Sequence, residues 1–147
     1  MSPTSAASEI VHASCVTVGE RAILIRGPSG TGKSALALEL MAYGAELVAD
    51  DRTVVSTRLG QLVAEAPDAI RGLIEARGVG ILHAEAVKSA TVVLVVDLES
   101  EESERLPPVR NTILMGHSVP LLWRVDGAHF SAAIMQLLKS GGRYESE

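Results

Sequence analysis

The fold is decided by residues 27–34, which read Gly27-Pro28-Ser29-Gly30-Thr31-Gly32-Lys33-Ser34. The stretch fits the P-loop pattern G-x-x-x-x-G-K-[ST], a glycine-rich turn that binds phosphate groups. An apolar run of strand type precedes it at residues 21–25, and a run of helix type follows at residues 35–41. A strand, a glycine-rich turn and a helix start are the context that this motif requires, so the sequence predicts a phosphate-binding loop.

The residue types of this P-loop suit a nucleotide. Glycines let backbone N–H groups converge on phosphate oxygens, and the N-terminus of the following helix adds partial positive charge. The side chain of Lys33 is placed to reach the β- and γ-phosphates, and the hydroxyl of Ser34 is placed to ligate Mg²⁺. We therefore predict that residues 27–34 bind a nucleotide together with Mg²⁺.

Length and composition favour one acidic domain. The chain has 147 residues, so we expect a single domain over residues 1–147, with residues 1–8 and 141–147 disordered. A net charge of −5, with one Trp, two Tyr and one Phe, argues against nucleic acid as a partner. No apolar run approaches the ~20 residues of a membrane span, and no secretory signal is recognisable, so we expect a cytoplasmic protein without a membrane partner.

The hydrophobic pattern predicts an α/β domain with a mixed sheet, because several strand-type runs accompany two clear helices. Glycines at positions 72, 78 and 80 make residues 73–82 unsuited to a helix, and residues 99–104 read as an acidic loop. Strands are expected at residues 10–18, 21–25, 45–49, 53–57, 62–64, 91–96, 113–115 and 119–125, and helices from the P-loop to Tyr43 and over residues 128–138.

Carboxylates near the P-loop are candidates for metal binding or proton transfer. Asp50 and Asp51 follow a hydrophobic strand, and neighbours in a strand point to opposite sides, so we expect them to have different roles. The alternative is a solvated turn. Glu75 is suited to hold a metal and Arg77 to hold phosphate, unless the two form a surface ion pair with each other. His12, near the end of the first strand, is by itself either a core or a surface histidine.

Three segments around the P-loop make the interpretation specific. They are His12-Ala13-Ser14-Cys15-Val16, Leu47-Val48-Ala49-Asp50-Asp51 and, with the pattern E-x-R-G-x-G, Ile74-Glu75-Ala76-Arg77-Gly78-Val79-Gly80-Ile81-Leu82. In this order and spacing they resemble the catalytic domain of the HPr kinase/phosphorylase family, from His12 to about Leu98. The resemblance implies a short form that lacks the family's N-terminal domain.

The resemblance also implies catalytic roles for four residues. Asp51 would be the general base when a protein serine is phosphorylated, and the general acid in the reverse reaction. His12 and Lys33 would assist at the aspartate and at the phosphates. Arg105 resembles the family's later catalytic arginine, with an ordinary surface arginine as the alternative.

The remaining implications concern cofactors, partner and fold. Ser34 and Glu75 would be the Mg²⁺ ligands, and ATP or pyrophosphate the phosphoryl donor. The acceptor would be the phosphocarrier HPr, which links the reaction to the phosphotransferase system and carbon metabolism. The fold would be a P-loop domain resembling the nucleotide-binding part of phosphoenolpyruvate carboxykinase, and the resemblance leaves a homo-oligomer open.

Two alternatives remain open at this stage. The family's P-V-R-P-G-R loop, linked to dephosphorylation, is matched only in part by Pro108-Val109-Arg110-Asn111, so the sequence leaves open whether the reverse phosphorolysis accompanies the kinase reaction. A non-catalytic nucleotide-binding module would account for such a loss. A small-molecule P-loop kinase would need an arginine-rich lid, and the only candidate, residues 99–111, has two arginines.

Overall fold

A nine-stranded mixed sheet, with two helices packed on one face, dominates residues 7–142, which the computed structural model describes. A separate two-stranded hairpin and one short 3₁₀ turn complete the fold. The elements are β1 (Ser8–Val11), β2 (Ala13–Val18), β3 (Arg21–Arg26), α1 (Lys33–Ala42), β4 (Glu46–Ala49), β5 (Thr53–Arg58), β6 (Gln61–Glu65), the 3₁₀ turn (Asp68–Ile70), β7 (Leu73–Ala76), β8 (Gly80–His83), β9 (Ala90–Glu101), β10 (Asn111–Leu114), β11 (His117–Arg124) and α2 (Phe130–Ser140).

The strand that leads into the P-loop lies deep in the sheet. The strand order is β1-β5-β6-β9-β3-β2-β4, with β11 added beside the second half of β9 and β10 beside β11. β3 pairs in parallel with β9 and antiparallel with β2, so it has a hydrogen-bonded partner on each side. This central position fixes the point at which the chain enters the glycine-rich loop.

Alternating side chains of β3 reach two separate hydrophobic clusters. Ile23 and Ile25 pack with the helices α1 and α2, whereas Ala22 and Leu24 pack on the other face. All four are buried, and a strand buried on both faces has the near-continuous apolar sequence that residues 22–25 show. The P-loop is therefore held by a strand that is fixed from both sides.

The first predicted strand, residues 10–18, is wrong as a single element because it breaks at His12. β1 pairs with β5 at one end of the strand order, while β2 pairs with β3 and β4 near the other end. One residue separates these two strands in the chain, so the sheet must curl until its two ends meet. The hydroxyl of Thr53 donates to the carbonyl of Ala13 at 2.9 Å across this junction.

Two other expectations change in the structure. The predicted acidic loop at residues 99–104 is wrong in its first part, because β9 continues to Glu101, which pairs with Arg124 of β11. Ser8, expected to be disordered, begins β1 and pairs with Ser56. The rest of that expectation falls almost entirely on residues 1–6 and 143–147, outside the described residues. The glycine-rich segment 73–82 is not helical, as expected, and forms the β7–β8 hairpin.

Candidate active site

The backbone of the P-loop adopts conformations that require glycine at two positions. Gly32 caps α1 with a φ of 98°, in the left-handed region that glycine favours. Gly27 has a φ of 153°, which side chains rarely allow, and a Cβ atom there would lie 2.7 Å from the hydroxyl oxygen of Thr31. The backbone N–H of Thr31 donates to the carbonyl of Pro28 at 3.2 Å, which closes the turn before the helix begins.

The N-terminus of α1 presents free backbone donors to the loop. No side chain within residues 7–142 caps this helix, so N–H groups of its first turn keep their capacity to donate. The ammonium group of Lys33 donates to the carbonyl of Gly27 at 2.9 Å, and the residue is only 6% exposed. These donors and the helix dipole form a positive surface that suits a phosphate chain.

A cavity of about 500 Å³, which we call the Asp51 cavity, opens beside this helix start. It is lined by P-loop residues that include Lys33 and Ser34, and by Asp51, Glu75 and Arg77. The structure therefore brings together residues that are 44 positions apart in the chain, from Lys33 to Arg77, around one space. A cavity of this size with a few convergent polar groups is typical of a ligand site.

Two residues that line the Asp51 cavity, Ser34 and Glu75, are hydrogen-bonded to a buried network centred on Asp50, which we call the floor. One carboxylate oxygen accepts from the hydroxyls of Ser14 at 2.7 Å and Ser34 at 2.6 Å. The other oxygen accepts from the backbone N–H of Glu75 at 3.0 Å. Asp50 is 7% exposed, so these three donors replace the water that a carboxylate otherwise requires. This floor ties strand β2, the P-loop and the hairpin strand β7 to one side chain.

Asp51 lines the cavity and forms a more exposed pair with His12, which we call the rim. The Nε2 atom of His12 lies 2.8 Å from a carboxylate oxygen of Asp51, and the two side chains are 52% and 56% exposed. The backbone of Asp51 has a φ of 69°, and the N–H of Arg52 donates to the carbonyl of Asp50 at 2.7 Å across it. Aspartate is one of the few residues that adopt this conformation, and such outliers cluster at functional sites.

The two adjacent aspartates therefore have different surroundings, in agreement with the expectation that they point to opposite sides. The turn at Asp51 turns one carboxylate inward to the floor and leaves the next one at the rim. The hydroxyl of Ser14 links the two, because it donates to Asp50 and accepts from the backbone N–H of Asp51 at 3.1 Å. This arrangement excludes the alternative of an ordinary solvated turn for Asp50.

Glu75 and Arg77 line the Asp51 cavity from the β7–β8 hairpin. Both are exposed, and the ion pairs within residues 7–142 do not include one between these two side chains. The alternative of a Glu75–Arg77 surface ion pair is therefore wrong. Their side chains remain available to ligands in the cavity, while the Glu75 backbone is fixed by Asp50.

The hydroxyl and carboxylate oxygens near the floor are suitable ligands for a magnesium ion that binds together with phosphates. Within residues 7–142 no cluster of three or more His, Cys, Asp or Glu side chains forms a ready metal cage. Mg²⁺ is usually held by one or two carboxylates together with substrate phosphates and several waters, so such a cage is not needed. The hydroxyl of Ser34 beside Asp50, with Glu75 on the same cavity, provides the oxygen set that this ion prefers.

Arg105 does not line the Asp51 cavity and lies in the exposed loop of residues 102–110. The partly matched segment Pro108-Val109-Arg110-Asn111 lies at the end of the same loop and the start of β10. Arg110 stacks 3.6 Å from the ring centroid of Trp123 and donates to both carboxylate oxygens of Glu102. This hydrogen bonding by Arg110 holds the pKa of the Glu102 carboxyl below its usual value. These contacts hold the two ends of the loop, Glu102 and Arg110, together.

The sequence identified Asp50 only as one of two candidate carboxylates, without a specific role, and gave no role to Ser14; these two residues form the floor. The signal for Asp50 was present, since a carboxylate at the end of a strand near the P-loop serine is a recurring Mg²⁺ arrangement. Ser14 carried no comparable signal, because its place beside Asp50 depends on the pairing of β2 with β4. Its neighbour in the chain, His12, drew attention through the resemblance alone.

A family model and two curated relatives that match this chain all carry the name HPr kinase. The family model described as HPr Serine kinase C-terminal domain matches residues 4–112. An HPr kinase/phosphorylase of Caldicellulosiruptor bescii is 40% identical over 124 residues, which cover 76% of this chain and 40% of that protein. One from Enterococcus faecalis is 32% identical over 151 residues, which cover 85% of this chain and 49% of that protein. The chain thus spans less than half the length of these two relatives.

A solved structure agrees with the sequence relatives. The Hpr(Ser) kinase/phosphatase of Coxiella burnetii superimposes with a TM-score of 0.77 at 25% identity, over 90% of each chain. The resemblance expected from the sequence is confirmed by these matches, as is the mixed α/β class of the fold. Within residues 7–142, neither helix has the length and apolar character needed to cross a membrane.

Proposed function

The chain belongs to the family of HPr serine kinase C-terminal domains, and from this membership we propose that it is a serine kinase that depends on ATP and Mg²⁺ and phosphorylates an HPr-type phosphocarrier protein. The observation that carries the proposal is the Asp51 cavity, where a P-loop lysine and serine share one space with two carboxylates. Phosphoryl transfer needs phosphate-holding groups, a metal site and a group that takes the proton of the nucleophile. The cavity offers a candidate for each.

Activation of the acceptor is assigned to the rim. The serine oxygen of the acceptor forms a bond to the γ-phosphorus while the bond from that phosphorus to the leaving oxygen of ADP breaks. The proton of the serine hydroxyl passes to the carboxylate of Asp51, which is exposed enough to meet a protein substrate. His12, at 2.8 Å from that carboxylate, orients it toward the acceptor. A positioned base of this kind contributes typically about 10²–10⁴-fold to the rate.

Binding of the phosphoryl donor is assigned to the P-loop and the floor. The free N–H groups of α1 and the ammonium group of Lys33 hold the phosphate oxygens. Ser34, Asp50 and Glu75 would hold the Mg²⁺ ion. When bound, this ion neutralises charge that develops on the phosphate oxygens. The floor keeps these donors in place through the 2.6 Å contact between Ser34 and Asp50.

We extend the proposal to the reverse direction, with inorganic phosphate as the nucleophile and pyrophosphate as the product. There the bond between the serine oxygen and phosphorus breaks, and Asp51 returns its proton to that oxygen. The reaction, with ATP or pyrophosphate as donor, would act in the cytoplasm on the phosphotransferase system and carbon metabolism. The likeness to the nucleotide-binding part of phosphoenolpyruvate carboxykinase belongs to the same proposal, supported by the strand–loop–helix geometry at residues 21–42.

A transfer assay tests this function. The protein is incubated with Mg²⁺, [γ-³²P]ATP and a purified HPr-type protein, and label is followed on the protein acceptor. We expect label on a serine, absent when that serine is replaced by alanine in the acceptor. Binding of ATP without any transfer would favour a non-catalytic nucleotide-binding module. Label that accumulates only on a small molecule would favour a small-molecule kinase.

A further inference from the structure

A second cavity, of about 620 Å³, lies on the other side of the helix start from the Asp51 cavity. We call it the Tyr43 cavity. Gly32 and Ala35 line both cavities, so the two meet at the N-terminus of α1. From there the Tyr43 cavity follows α1 as far as Tyr43, a length of about 15 Å at the helical rise of 1.5 Å per residue. Its opposite wall is the segment between β11 and α2, together with the first turn of α2.

The wall of the Tyr43 cavity includes aromatic and apolar surface. Phe130 and Leu36 both line it, and each is only 8% exposed. Tyr43 is 57% exposed at its rim, although the chain has only four aromatic residues. Exposed aromatic faces are surfaces on which nucleobases stack, because every base has a π-face. The cavity therefore offers a place for a flat aromatic ligand.

The polar groups of the Tyr43 cavity are mainly acceptors. Glu39 and Asp126 bring two carboxylates, and that of Glu39 accepts from the hydroxyl of Ser131. Arg124 forms an ion pair with Glu101 at 3.6 Å, which offsets much of its positive charge. Carboxylates repel phosphate but accept hydrogen bonds from hydroxyl and amino groups. These groups suit the sugar and base of a nucleotide better than its phosphate chain.

The in-line geometry of phosphoryl transfer places the acceptor and the rest of the donor on opposite sides of the transferred phosphorus, and so in different cavities. The attacking and leaving oxygens lie roughly in line on opposite sides of the transferred phosphorus. Asp51, the assigned base, lines one cavity only, so the acceptor hydroxyl enters from that side. The leaving oxygen, and the rest of the donor attached to it, then point across Gly32 to the other side.

We propose that the Tyr43 cavity binds the base and ribose of the nucleoside triphosphate, whose phosphates lie over the N-terminus of α1. This inference rests on the proposed function, because it takes the P-loop as the phosphate site. It assigns to the two cavities different substrates: the nucleoside to the Tyr43 cavity, and the protein acceptor to the Asp51 cavity.

The test compares ATP with inorganic tripolyphosphate, which has the same phosphate chain and no nucleoside. Ala128 is exposed and lines the Tyr43 cavity, so Ala128→Trp fills it; Ala132→Trp, exposed on α2 and outside the cavity, is the matched control. Calorimetry with Mg²⁺ should show ATP bound about tenfold or more weakly by Ala128→Trp, with tripolyphosphate unaffected. Ala132→Trp should bind both ligands as the wild-type protein does.

Each other result has a definite meaning. The nucleoside assignment would be overturned if Ala128→Trp lowered the affinities for ATP and tripolyphosphate equally. It would also be overturned if the variant lowered neither affinity. A raised KM for the protein acceptor with unchanged ATP affinity would assign the cavity to the acceptor instead. If Ala128→Trp does not fold, Tyr43→Ala decides by the same two titrations, with loss expected for ATP alone. A wild-type protein that binds neither ligand would overturn the proposed kinase function itself, and this inference with it.

Discussion

The floor and the rim of the Asp51 cavity are built from neighbouring residues and yet differ in nearly every physical property. Asp50 at the floor is buried and accepts three hydrogen bonds from three different parts of the chain. Asp51 at the rim is more than half exposed, and its side chain meets His12. A buried carboxylate is costly unless all its bonds are made, whereas an exposed ion pair adds only about 0–1 kcal/mol. The buried floor therefore fixes the geometry of the phosphate and metal side of the site, whereas the exposed rim is open to the acceptor and carries the proposed proton transfer.

The largest effect is expected at the rim. Replacement Asp51→Asn should lower kinase turnover by about 10²–10⁴-fold, because the proton of the acceptor serine loses its base. ATP affinity should hold or rise, since a negative charge near the γ-phosphate is removed. Stopped-time transfer assays give turnover, and calorimetry gives the affinity. Full activity in this variant would remove the distinction between rim and floor.

Nucleotide binding involves both regions, because the floor contacts the P-loop serine and the rim aspartate lines the same cavity. Mg-ATP at 100 times its Kd should stabilise the wild-type protein by about 2.7 kcal/mol. Replacement Lys33→Ala should abolish most of that gain, measured as the upward shift of the thermal melt. Lys88→Ala, at an exposed position away from the cavity, is the control and should keep the shift. No shift in the wild-type protein would contradict the P-loop assignment.

Ser14 offers a test of the floor alone. Its hydroxyl donates to Asp50 and accepts from the backbone of Asp51, so Ser14→Ala should lower the free energy of unfolding by about 1–3 kcal/mol. Ser56 is a matched control, because its buried hydroxyl has no hydrogen-bond partner within residues 7–142. Ser56→Ala should be neutral or stabilising in the same urea titration. Similar values for the two variants would mean that the network contributes little.

The smallest effect concerns Glu75, whose side chain lines the cavity while its backbone belongs to the floor. Glu75→Gln keeps the shape and removes the charge, so the variant should fold normally and need more Mg²⁺ for half-maximal activity. Glu85→Gln, at an exposed position outside the cavity, should leave the Mg²⁺ titration unchanged. An unchanged titration in Glu75→Gln would remove this side chain from the metal site.

The sequence predicted those parts of the fold that are formed by residues close together in the chain. The glycine pattern of residues 27–34 predicted a strand, a loop and a helix in order, and the helix ends with Tyr43 as its C-cap, at the expected position. The strands expected on either side of Gly19 and of Gly60 are present and pair as hairpins. In each case the decisive residues are neighbours in the chain.

Features that depend on distant pairings could not be predicted in the same way. The break at His12 exists because β1 and β2 join opposite ends of a curled sheet. The extension of β9 to Glu101 follows from its pairing with Arg124 of β11, which overrides the acidic composition of the segment. The floor likewise needs β2, α1 and β7 to meet at Asp50. Family resemblance supplied Asp51 and His12 as candidates, but not the network beneath them.

The division between floor and rim is tested most directly by urea unfolding of Asp50→Asn and Asp51→Asn side by side. The amide of Asp50→Asn brings an N–H group against hydroxyl or N–H donors at the floor, so its unfolding free energy should fall by about 1–3 kcal/mol. Asn tolerates the positive φ at position 51, and Asp51→Asn should unfold within about 1 kcal/mol of the wild-type protein. Equal losses in the two variants, or a larger loss in Asp51→Asn, would contradict the account.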